Sequence, residues 1–531
     1  MSIRAVLNFG AVSLILGGMT KQKSGQKSGQ KWWPLLPFAL GALAVLGFAP
    51  FYIFSAAIVS VAGICYLWQQ AASPRAAWLL GFSYGLGLYC IGIYWIYISL
   101  HDFGGMPSWF AAFCTFCLCA FMALFVGMVG WFSKKFGFLI LSIPVFWGLS
   151  DWIRSWIFTG FPWLTLGYSQ VPHSPLAGYM PIVGVYGVSV MTAFLAALIA
   201  AWFAMPQSAI WKRNSIAAFT LIVVAGLLLK AVEWTSPVGE PFDVALIQGN
   251  IAQDIKWSPE AAQSTIDLYL AMTKASKAPL IILPETALPV IASQLDESVK
   301  SALTAHAKQN GGIIVGMVEY NENTNEYFNS AIGFSSATGF GDSRSIADAN
   351  MQAYRKNHLV PFGEFIPLKQ VFGWIYRDWL NIPLSDLSRG GKQQAPMWLA
   401  GQRVAVNICY EDVFGEEIAR NTASASLMVN ISNDAWYGKS YAAHQHMQFS
   451  QARAIENGRY MLRATNTGAT AAIDQHGYVL AHAPHDVKTT LNVSAQGYTG
   501  STPYMRLGNW PFIVFCLGAI VFVLRRKTLS C

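Results

Sequence analysis

Long apolar runs dominate the first 232 residues of the chain and return near its end. Because roughly 17–25 apolar helical residues are needed to cross a bilayer, these runs and the residues that interrupt them give eight candidate spans. They cover 33–50, 52–70, 76–99, 107–132, 136–157, 175–205, 213–232 and 509–525. Only Pro50 and its neighbours separate the first two, and the short run Ala5–Met19 is left out of the count. The pattern predicts a polytopic α-helical membrane region.

Residues 236 to about 505 have a different pattern, in which short continuous apolar runs alternate with helix-like segments. The predicted strands are Asp243–Gln248, Pro279–Leu283, Gly312–Val318, Phe328–Phe334, Ala353–Leu359, Val404–Ile408 and Leu427–Ile431, with further strands near Leu462–Thr465, Ala469–Asp474 and Tyr478–Ala481. Helices are predicted at 259–277, roughly 295–309 and 440–457. Continuous apolar strands indicate sheets that are covered on both faces. This pattern predicts an α/β sandwich with helices outside.

Composition supports this division. Apolar residues make up 54% of the 531 and charged residues 12%, which favours the membrane class. We therefore expect an N-terminal segment at 1–31, a seven-span region at 32–234, a soluble domain at 235–506, and an eighth helix with its tail at 507–531. The net charge of +8 does not indicate nucleic-acid binding, because many of the basic residues lie in short loops between apolar runs.

The position of these basic residues predicts orientation, because loops rich in Lys and Arg stay in the cytoplasm. They occur before the first span (Lys21, Lys23, Lys27, Lys31), in alternate loops (Arg75; Lys134, Lys135; Lys212, Arg213) and after the last span (Arg525, Arg526, Lys527). The loops between them carry little charge. We expect both termini in the cytoplasm and the soluble domain outside.

Cys409 is the one cysteine in the soluble domain, so it has no disulfide partner there. A lone buried cysteine is usually a small apolar residue. This one follows a predicted strand and precedes Tyr410, Glu411 and Asp412 at a strand-to-helix turn, where a helix N-terminus favours a thiolate. The position favours a nucleophile.

Three segments at strand ends extend this interpretation: Pro284-Glu285-Thr286, Arg355-Lys356-Asn357-His358 and Ile408-Cys409-Tyr410-Glu411-Asp412. Glu, Lys and Cys in this order resemble the carbon–nitrogen hydrolase (nitrilase) superfamily. Further segments resemble one branch of it, the apolipoprotein N-acyltransferases of bacterial inner membranes. They are Thr159–Trp163, Gly167–Gln170, Gly184–Ser189, Gln248–Ile251, Lys256-Trp257, Val360–Pro367 and Asn433–Gly438.

This resemblance implies a nitrilase-like αββα sandwich in the periplasm and a two-step acyl transfer at the inner membrane. An acyl chain would pass from a phospholipid, typically phosphatidylethanolamine, to a Cys409 thioester. The α-amine of a lipoprotein's diacylglyceryl-cysteine would then take it. Glu285 would be the general base and Lys356 would stabilise the thiolate and the oxyanion. The family also suggests a monomer.

The resemblance assigns supporting roles to five more residues. Glu364 matches a glutamate that the family requires near the triad, and Tyr410 and Glu411 match positions beside the nucleophile that shape the oxyanion site. Trp257 and Trp436 match tryptophans on loops around the pocket, although interfacial tryptophans are the commoner case in a membrane protein. No cofactor or metal is expected: His444 and His446 lack a completing ligand set and are predicted to be polar positions on a helix surface or at its N-terminus.

Other interpretations remain at this stage. The stretch Phe372–Tyr376 with Trp379 and Leu380 is either an aromatic arm that enters the outer leaflet or part of the domain's packing. The same triad would serve a membrane-tethered amidase or nitrilase that hydrolyses a C–N bond, although one span would suffice for a tether. A transporter with an accessory domain is less consistent with spans that carry so few charges.

Overall fold

The computed structural model describes residues 35–204, 208–253, 256, 258–335, 351–367, 370 and 386–529. The N-terminal segment 1–31, Trp257 and the aromatic stretch from Phe372 to Trp379 lie outside these residues, so the expectations for them stay predictions. The chain is divided into two compact units. One takes its residues from Met1–Tyr94, Ala112–Val232 and Asn509–Cys531, and the other consists of Trp95–Ala111 and Glu233–Gly508.

The first unit is helical and apolar. Its helices are α1 (Leu35–Ala44), α2 (Phe54–Gln70), α3 (Pro74–Gly92), α4 (Ser108–Phe136, whose first residues belong to the second unit), α5 (Leu139–Arg154), α6 (Met180–Ala204) and α7 (Ala209–Lys230), and α13 (Trp510–Leu529) near the end of the chain. Among the described residues, three helical segments are long and apolar enough to cross a membrane: Ser108–Phe136, Pro175–Ala204 and Ala209–Lys230. A fourth is added if Pro74–Gly92 and Trp95–Phe103, which meet at a 51° bend, form one span. The chain is therefore a membrane protein with several apolar helices.

A buried ion pair fixes the segment that follows α5. Arg154 and Asp151 lie 2.5 Å apart with almost no exposure. Arg154 also donates to the Trp163 carbonyl at 3.0 Å, and Asp151 accepts from the Leu166 backbone at 3.0 Å. Paired and bonded in this way, two charges are tolerated inside an apolar unit. They hold the Thr159–Trp163 segment against the end of α5.

The second unit contains two six-stranded sheets in its described residues. The first sheet has the order β12-β1-β2-β3-β4-β5 and the second has the order β11-β10-β9-β8-β7-β6. The strands of the first sheet are β1 (Thr235–Gln248), β2 (Leu280–Ile282), β3 (Gly312–Asn321), β4 (Glu326–Ser335), β5 (Met351–Arg355) and β12 (Thr489–Gly500); those of the second are β6 (Met397–Leu399), β7 (Gln402–Ile408), β8 (Leu427–Ser432), β9 (Met461–Thr465), β10 (Ala471–Ile473) and β11 (Val479–His482). Strands β1, β2 and β3 run parallel to one another, as do β7, β8 and β9.

Helices cover the outer face of each sheet. On the first sheet these are α8 (Pro259–Ala275) and α9 (Glu297–Asn310), which contribute Tyr269 and Leu303 to one apolar core. On the second they are α10 (Gly415–Thr422) and α11 (Ala442–Asn457), which contribute Ile418 and Met447 to another. The helix α12 (Pro503–Leu507) ends the unit. The prediction of an α/β sandwich with outer helices is confirmed.

Burial on both faces explains why the central strands have continuous apolar sequences. In β1, Ala245 and Ile247 belong to the outer core, while the alternate residues Val244 and Leu246 are also completely buried. Successive side chains of a strand point to opposite faces, so both faces of β1 are covered.

A short segment distant in sequence completes the second unit. Trp95–Ala111, which lay in the third and fourth apolar runs and their connection, belongs to the unit of the two sheets. Trp95 donates from Nε1 to Gln445 Oε1 of α11 at 3.1 Å, and its ring lies 4.8 Å from that of Tyr437. The Phe103 ring is 6.4 Å from that of Trp436.

Candidate active site

Strand ends position the three residues of the predicted triad. Glu285 comes three residues after the end of β2, while Lys356 directly follows β5 and Cys409 directly follows β7. The strand that was predicted to include Lys356 ends at Arg355, which leaves the lysine in the turn beyond it. Thus each side chain extends from the carboxyl end of a buried strand.

The ammonium of Lys356 lies between two carboxylates. Its Nζ is 3.3 Å from Glu285 Oε1 and 2.9 Å from Glu364 Oε1, and its side chain is only 1% exposed. Burial lowers the pKa of Lys356, but the two carboxylates and Cys409 raise it more, so this pKa stands well above its ordinary value. Lys356 is therefore a permanent cation in the site.

Asn329 of β4 holds the same two carboxylates together. Its Nδ2 donates to Glu285 Oε1 at 2.7 Å and to Glu364 Oε1 at 2.8 Å. The backbone of Val360 donates to the other oxygen of Glu364 at 2.8 Å. Glu364, expected near the triad, is thus joined to it through Asn329 and Lys356.

The turn that carries Glu285 is fixed from three sides. The Asn433 backbone donates to Glu285 Oε2 at 3.0 Å. Lys256 donates to the Glu285 carbonyl at 3.2 Å and to Thr286 Oγ1 at 2.6 Å. Burial lowers the pKa of Lys256 to about 8, although the charge of Glu285 opposes this. On β3, Gly316 leaves room for the turn, because a Cβ there would lie 2.3 Å from the Pro284 carbonyl oxygen.

Cys409 occupies an elbow between β7 and the helical turn Cys409–Val413. Its φ of 53° lies in the left-handed region, which a residue other than glycine adopts only when its surroundings impose it. Here the Cys409 carbonyl accepts from Asn430 Nδ2 at 3.1 Å and lies 3.0 Å from His446 Nε2. These contacts pull the carbonyl into the domain and orient the thiol.

The thiol of Cys409 is buried and close to charged groups. Burial, followed by the charge of Glu285, raises its pKa well above the ordinary value, while Lys356 lowers it. A hydrogen bond from the Ser432 side chain also favours the thiolate. At neutral pH the resting residue is a thiol, so attack on a carbonyl requires removal of its proton.

Glu411 ties the lysine turn to the cysteine elbow. It accepts from the backbone of Ile408 at 2.8 Å, of Asn357 at 2.7 Å and of His358 at 3.1 Å, and from the Tyr354 hydroxyl at 2.9 Å. Burial raises its pKa to about 7 against these hydrogen bonds. Its neighbour Tyr410 packs edge-on against Phe414, with ring centroids 5.1 Å apart. The two residues expected beside the nucleophile are therefore buried there.

Trp436 lies in the helical turn Asp434–Tyr437, which directly follows Asn433, and it is only partly buried. The adjacent Tyr437 is also partly buried, and burial followed by the charge of Cys409 raises its pKa well above the ordinary value. Trp436 therefore lies on a loop whose neighbouring residues reach the nucleophile.

The prediction for His446 is wrong. This residue is 1% exposed and is bonded within the domain, although its helix has a polar sequence. Every residue of α11 except His444 is buried, so a polar position there does not mean a surface position. His444, only partly buried, lies with its ring 4.7 Å from that of His485. Sequence reasoning also missed the roles of Asn329, Ser432, Asn433 and Lys256. Asn433 and Lys256 lie in segments that carry the family resemblance, and Asn329 is a polar residue in an apolar strand.

Comparisons with known proteins agree over both units. The family model described as "Apolipoprotein N-acyltransferase N-terminal domain" matches residues 40–198, and the model described as "Carbon-nitrogen hydrolase" matches residues 243–504. A protein of Nitrosomonas europaea named "Apolipoprotein N-acyltransferase" is 45% identical over 93% of this chain and 98% of its own length. Proteins of the same name from Chromobacterium violaceum and Methylococcus capsulatus are 41% and 38% identical, over 92% and 93% of this chain and 93% and 97% of their own.

Proposed function

This chain belongs to the apolipoprotein N-acyltransferases, and we propose that Cys409 carries the acyl group in transit between a phospholipid and a lipoprotein amine. The observation that supports this most is the placement of a buried thiol, held at a strained elbow, within the charge field of Glu285 and Lys356. The catalytic groups are then Cys409, Glu285 and Lys356.

The first half of the reaction makes a thioester. Glu285 takes the proton of the Cys409 thiol as sulfur attacks the ester carbonyl carbon of the phospholipid. The carbonyl oxygen becomes negative and is stabilised by the Lys356 ammonium. As the carbonyl reforms, the bond from carbon to the glycerol oxygen breaks, and that oxygen takes the proton from Glu285. A lysophospholipid leaves and the acyl chain stays on sulfur.

The second half transfers the acyl chain to nitrogen. The α-amine of the diacylglyceryl-cysteine attacks the thioester carbonyl and gives a proton to Glu285. The carbon–sulfur bond then breaks, sulfur recovers the proton, and an amide is released. Because the first product leaves before the second substrate reacts, the kinetics are ping-pong.

Glu364 acts through the other groups in this scheme. It shares Asn329 and Lys356 with Glu285, so its charge keeps the lysine protonated while Glu285 gains and loses its proton. Glu411 fixes the distance between the lysine turn and the elbow. The tryptophans Trp257 and Trp436 are assigned to the rim of the acyl pocket.

The membrane supplies the donor. We assign eight spans, with both termini cytoplasmic and residues 235–506 as a periplasmic catalytic domain at the inner membrane of a bacterium. The alternation of basic and uncharged loops supports this orientation. Phosphatidylethanolamine is the proposed donor, a diacylated apolipoprotein the acceptor, and a monomer the working form.

Trapping the thioester tests the proposal. The purified protein in detergent is incubated with a phospholipid that carries a labelled acyl chain, and protein-bound label is measured before and after hydroxylamine. We expect hydroxylamine-sensitive label that a diacylated lipopeptide discharges as a labelled amide. Cys409→Ala should carry none, while Cys117→Ala, which alters an exposed cysteine of α4, should label normally.

Two outcomes would contradict this function. If Cys409→Ala carries as much label as the parent protein, the nucleophile is elsewhere. If free fatty acid accumulates and the lipopeptide receives nothing, the enzyme is a hydrolase, as in the amidases and nitrilases that share the triad.

A further inference from the structure

Four charged side chains form a cluster directly behind Cys409, and the reaction scheme above uses none of them. They are His446 of α11, Asp412 of the turn after β7, Asp434 of the turn after β8, and Arg463 of β9. Each side chain is at most 1% exposed. The guanidinium of Arg463 lies 2.8 Å from Asp412 Oδ2 and 3.4 Å from Asp434 Oδ2.

Both ring nitrogens of His446 face oxygens that can only accept a hydrogen bond. Nδ1 is 2.8 Å from Asp434 Oδ1. Nε2 is 3.0 Å from the Cys409 carbonyl oxygen and 3.0 Å from Asp412 Oδ1. A neutral imidazole has one N–H, so one of its nitrogens would present a lone pair to an oxygen lone pair. The arrangement is satisfied only when both nitrogens carry a proton.

The electrostatics agree with this geometry. Burial lowers the pKa of His446, but the charges of Asp412 and Asp434 outweigh burial and the repulsion of Arg463, which brings this pKa to about 9. With an imidazolium, the two carboxylates are matched by two cations. Without it, one uncompensated negative charge would remain in a buried site, where charges interact strongly.

That uncompensated charge would act on the nucleophile. The negative charge of Asp434 already raises the pKa of the Cys409 thiol. A cluster with a net negative charge would raise it further, because the thiolate would form beside an excess of anions.

We propose that His446 is a positioning residue, held as an imidazolium, that fixes the Cys409 carbonyl and keeps the region behind the nucleophile neutral so that the thiol can ionise. This inference rests on the proposed function, in which Cys409 is the nucleophile. His446 would join Glu285, Lys356 and Glu364 as a fourth residue whose charge controls acylation of Cys409. Unlike a catalytic residue, it would not touch the substrate.

Three ionisable groups that face the cluster or the nucleophile have pKa values outside the range of pH 7 to 9. Glu411, whose pKa is raised to about 7, is unchanged in every variant compared below. His444 faces Asp434 and has a pKa lowered by burial. His482 faces Arg463 and has a pKa lowered to about 4, by burial and by its neighbouring cations. Tyr437 faces Cys409 and Asp434 with a pKa raised well above its ordinary value. On the thiol's other side lie the catalytic Glu285 and Lys356.

The test measures the reactivity of Cys409 itself. The full-length protein in detergent is alkylated with iodoacetamide between pH 7 and 9, and modification of the Cys409 peptide is followed by mass spectrometry. Removing the buried cation in His446→Gln should raise the thiol pKa by about one to two units, so the alkylation rate at a given pH should fall roughly ten- to hundredfold. The double variant His446→Gln with Asp412→Asn restores neutrality, and its rate should return to within a few-fold of the parent.

A purely structural role gives a different result. His446→Gln would then leave the rate unchanged or increase it through a loosened elbow, and the second substitution would not reverse the effect; either result overturns the proposal. The proposed function is judged separately, by thioester formation in the parent protein and its loss in Cys409→Ala.

A second measurement needs no substitution. In the protein with ¹⁵N-labelled histidine, at least one of the nine imidazoles should remain doubly protonated at pH 8, where a free histidine is neutral. If every histidine is neutral at pH 8, the proposal fails, even where the His446 variants do not fold.

Discussion

Asn329 and Lys356 are the two donors that hold the carboxylates of Glu285 and Glu364 side by side. Two carboxylates this close repel each other unless both accept from a shared donor. Lys356 supplies a full charge and Asn329 supplies an amide dipole, so each carboxylate accepts from both donors. The residue at position 329 therefore helps to set the positions of the two carboxylates.

Asn329→Asp tests this arrangement with almost no change in shape. A third carboxylate would face oxygens that now accept at 2.7 and 2.8 Å, so repulsion should disturb Glu285 and Lys356. We expect acylation at pH 7.5 to fall at least about tenfold, which corresponds to about 1.4 kcal/mol. Part of the loss should be recovered at lower pH, where one of the three carboxyls binds a proton.

The matched control is Asn325→Asp, the same change in the exposed connection between β3 and β4. The Asn325 side chain accepts from the Tyr320 hydroxyl, which an aspartate can also do. An equal loss in both variants, or an Asn329→Asp enzyme with normal rates, would show that the amide is not needed.

Elements differ in how well their sequences predict them. Strands β3, β7 and β8 contain continuous apolar runs and were predicted close to their observed bounds. For β1 the sequence predicted only the apolar second half, Asp243–Gln248, whereas the observed strand begins at Thr235. The edge strand β12 was missed because most of its side chains are exposed or half-buried and its sequence is rich in Thr, Asn and Gln. Parallel strands buried on both faces leave an apolar signature that edge strands lack.

Strand β3 contributes a requirement that the sequence alone did not reveal. At Gly316, a Cβ would lie within 2.3–2.6 Å of backbone atoms of Pro284, Glu285 and Thr286. Backbone atoms cannot rotate away as a side chain can. The turn that presents the proposed base therefore rests directly on β3 at the one residue type that leaves enough space.

Gly316→Ala should displace that turn. We expect it to lower the free energy of unfolding by about 1–3 kcal/mol, as overpacking does, and to reduce acylation by more than the loss of folded protein explains. Thermal melting and thioester yield per folded molecule measure the two effects. Gly333→Ala on β4 is the control, since its Cβ would meet side-chain atoms of Met397 and Leu399 that can move. Normal acylation by a folded Gly316→Ala enzyme would contradict this account.

The proposed orientation of the whole chain in the membrane can be tested by cysteine labelling. With the exposed native Cys117 replaced, a cysteine is introduced either at the exposed Lys439 of the sheet unit or at the exposed Arg525 near the end of α13. In intact cells, a membrane-impermeant maleimide should label Lys439→Cys, while Arg525→Cys should react only after permeabilisation. If Arg525→Cys is labelled in intact cells and Lys439→Cys reacts only after permeabilisation, the proposed orientation is wrong.

The number of spans is harder to infer than the fold of the sheets. Basic residues alternate between loops clearly enough to predict sidedness, yet by length and hydropathy only three helical segments of the described residues qualify, or four with the bent pair. The pair Pro74–Gly92 and Trp95–Phe103 illustrates the difficulty of counting spans. Its apolar sequence is continuous, but the two helices meet at a 51° bend. The hydropathy of a segment indicates whether it prefers lipid or water, but it does not show where a helix bends.

Trp95–Ala111 has a practical consequence for inhibitor discovery. Because this segment belongs to the compact unit of the two sheets, that unit is discontinuous in the gene and cannot be excised by one cut. A recombinant fragment that starts at residue 233 would leave Tyr437 and Gln445 without the indole of Trp95. Compounds selected on such a fragment could occupy an artificial groove. Screens should therefore use the intact polypeptide, or a fragment with residues 95–111 grafted back by a linker.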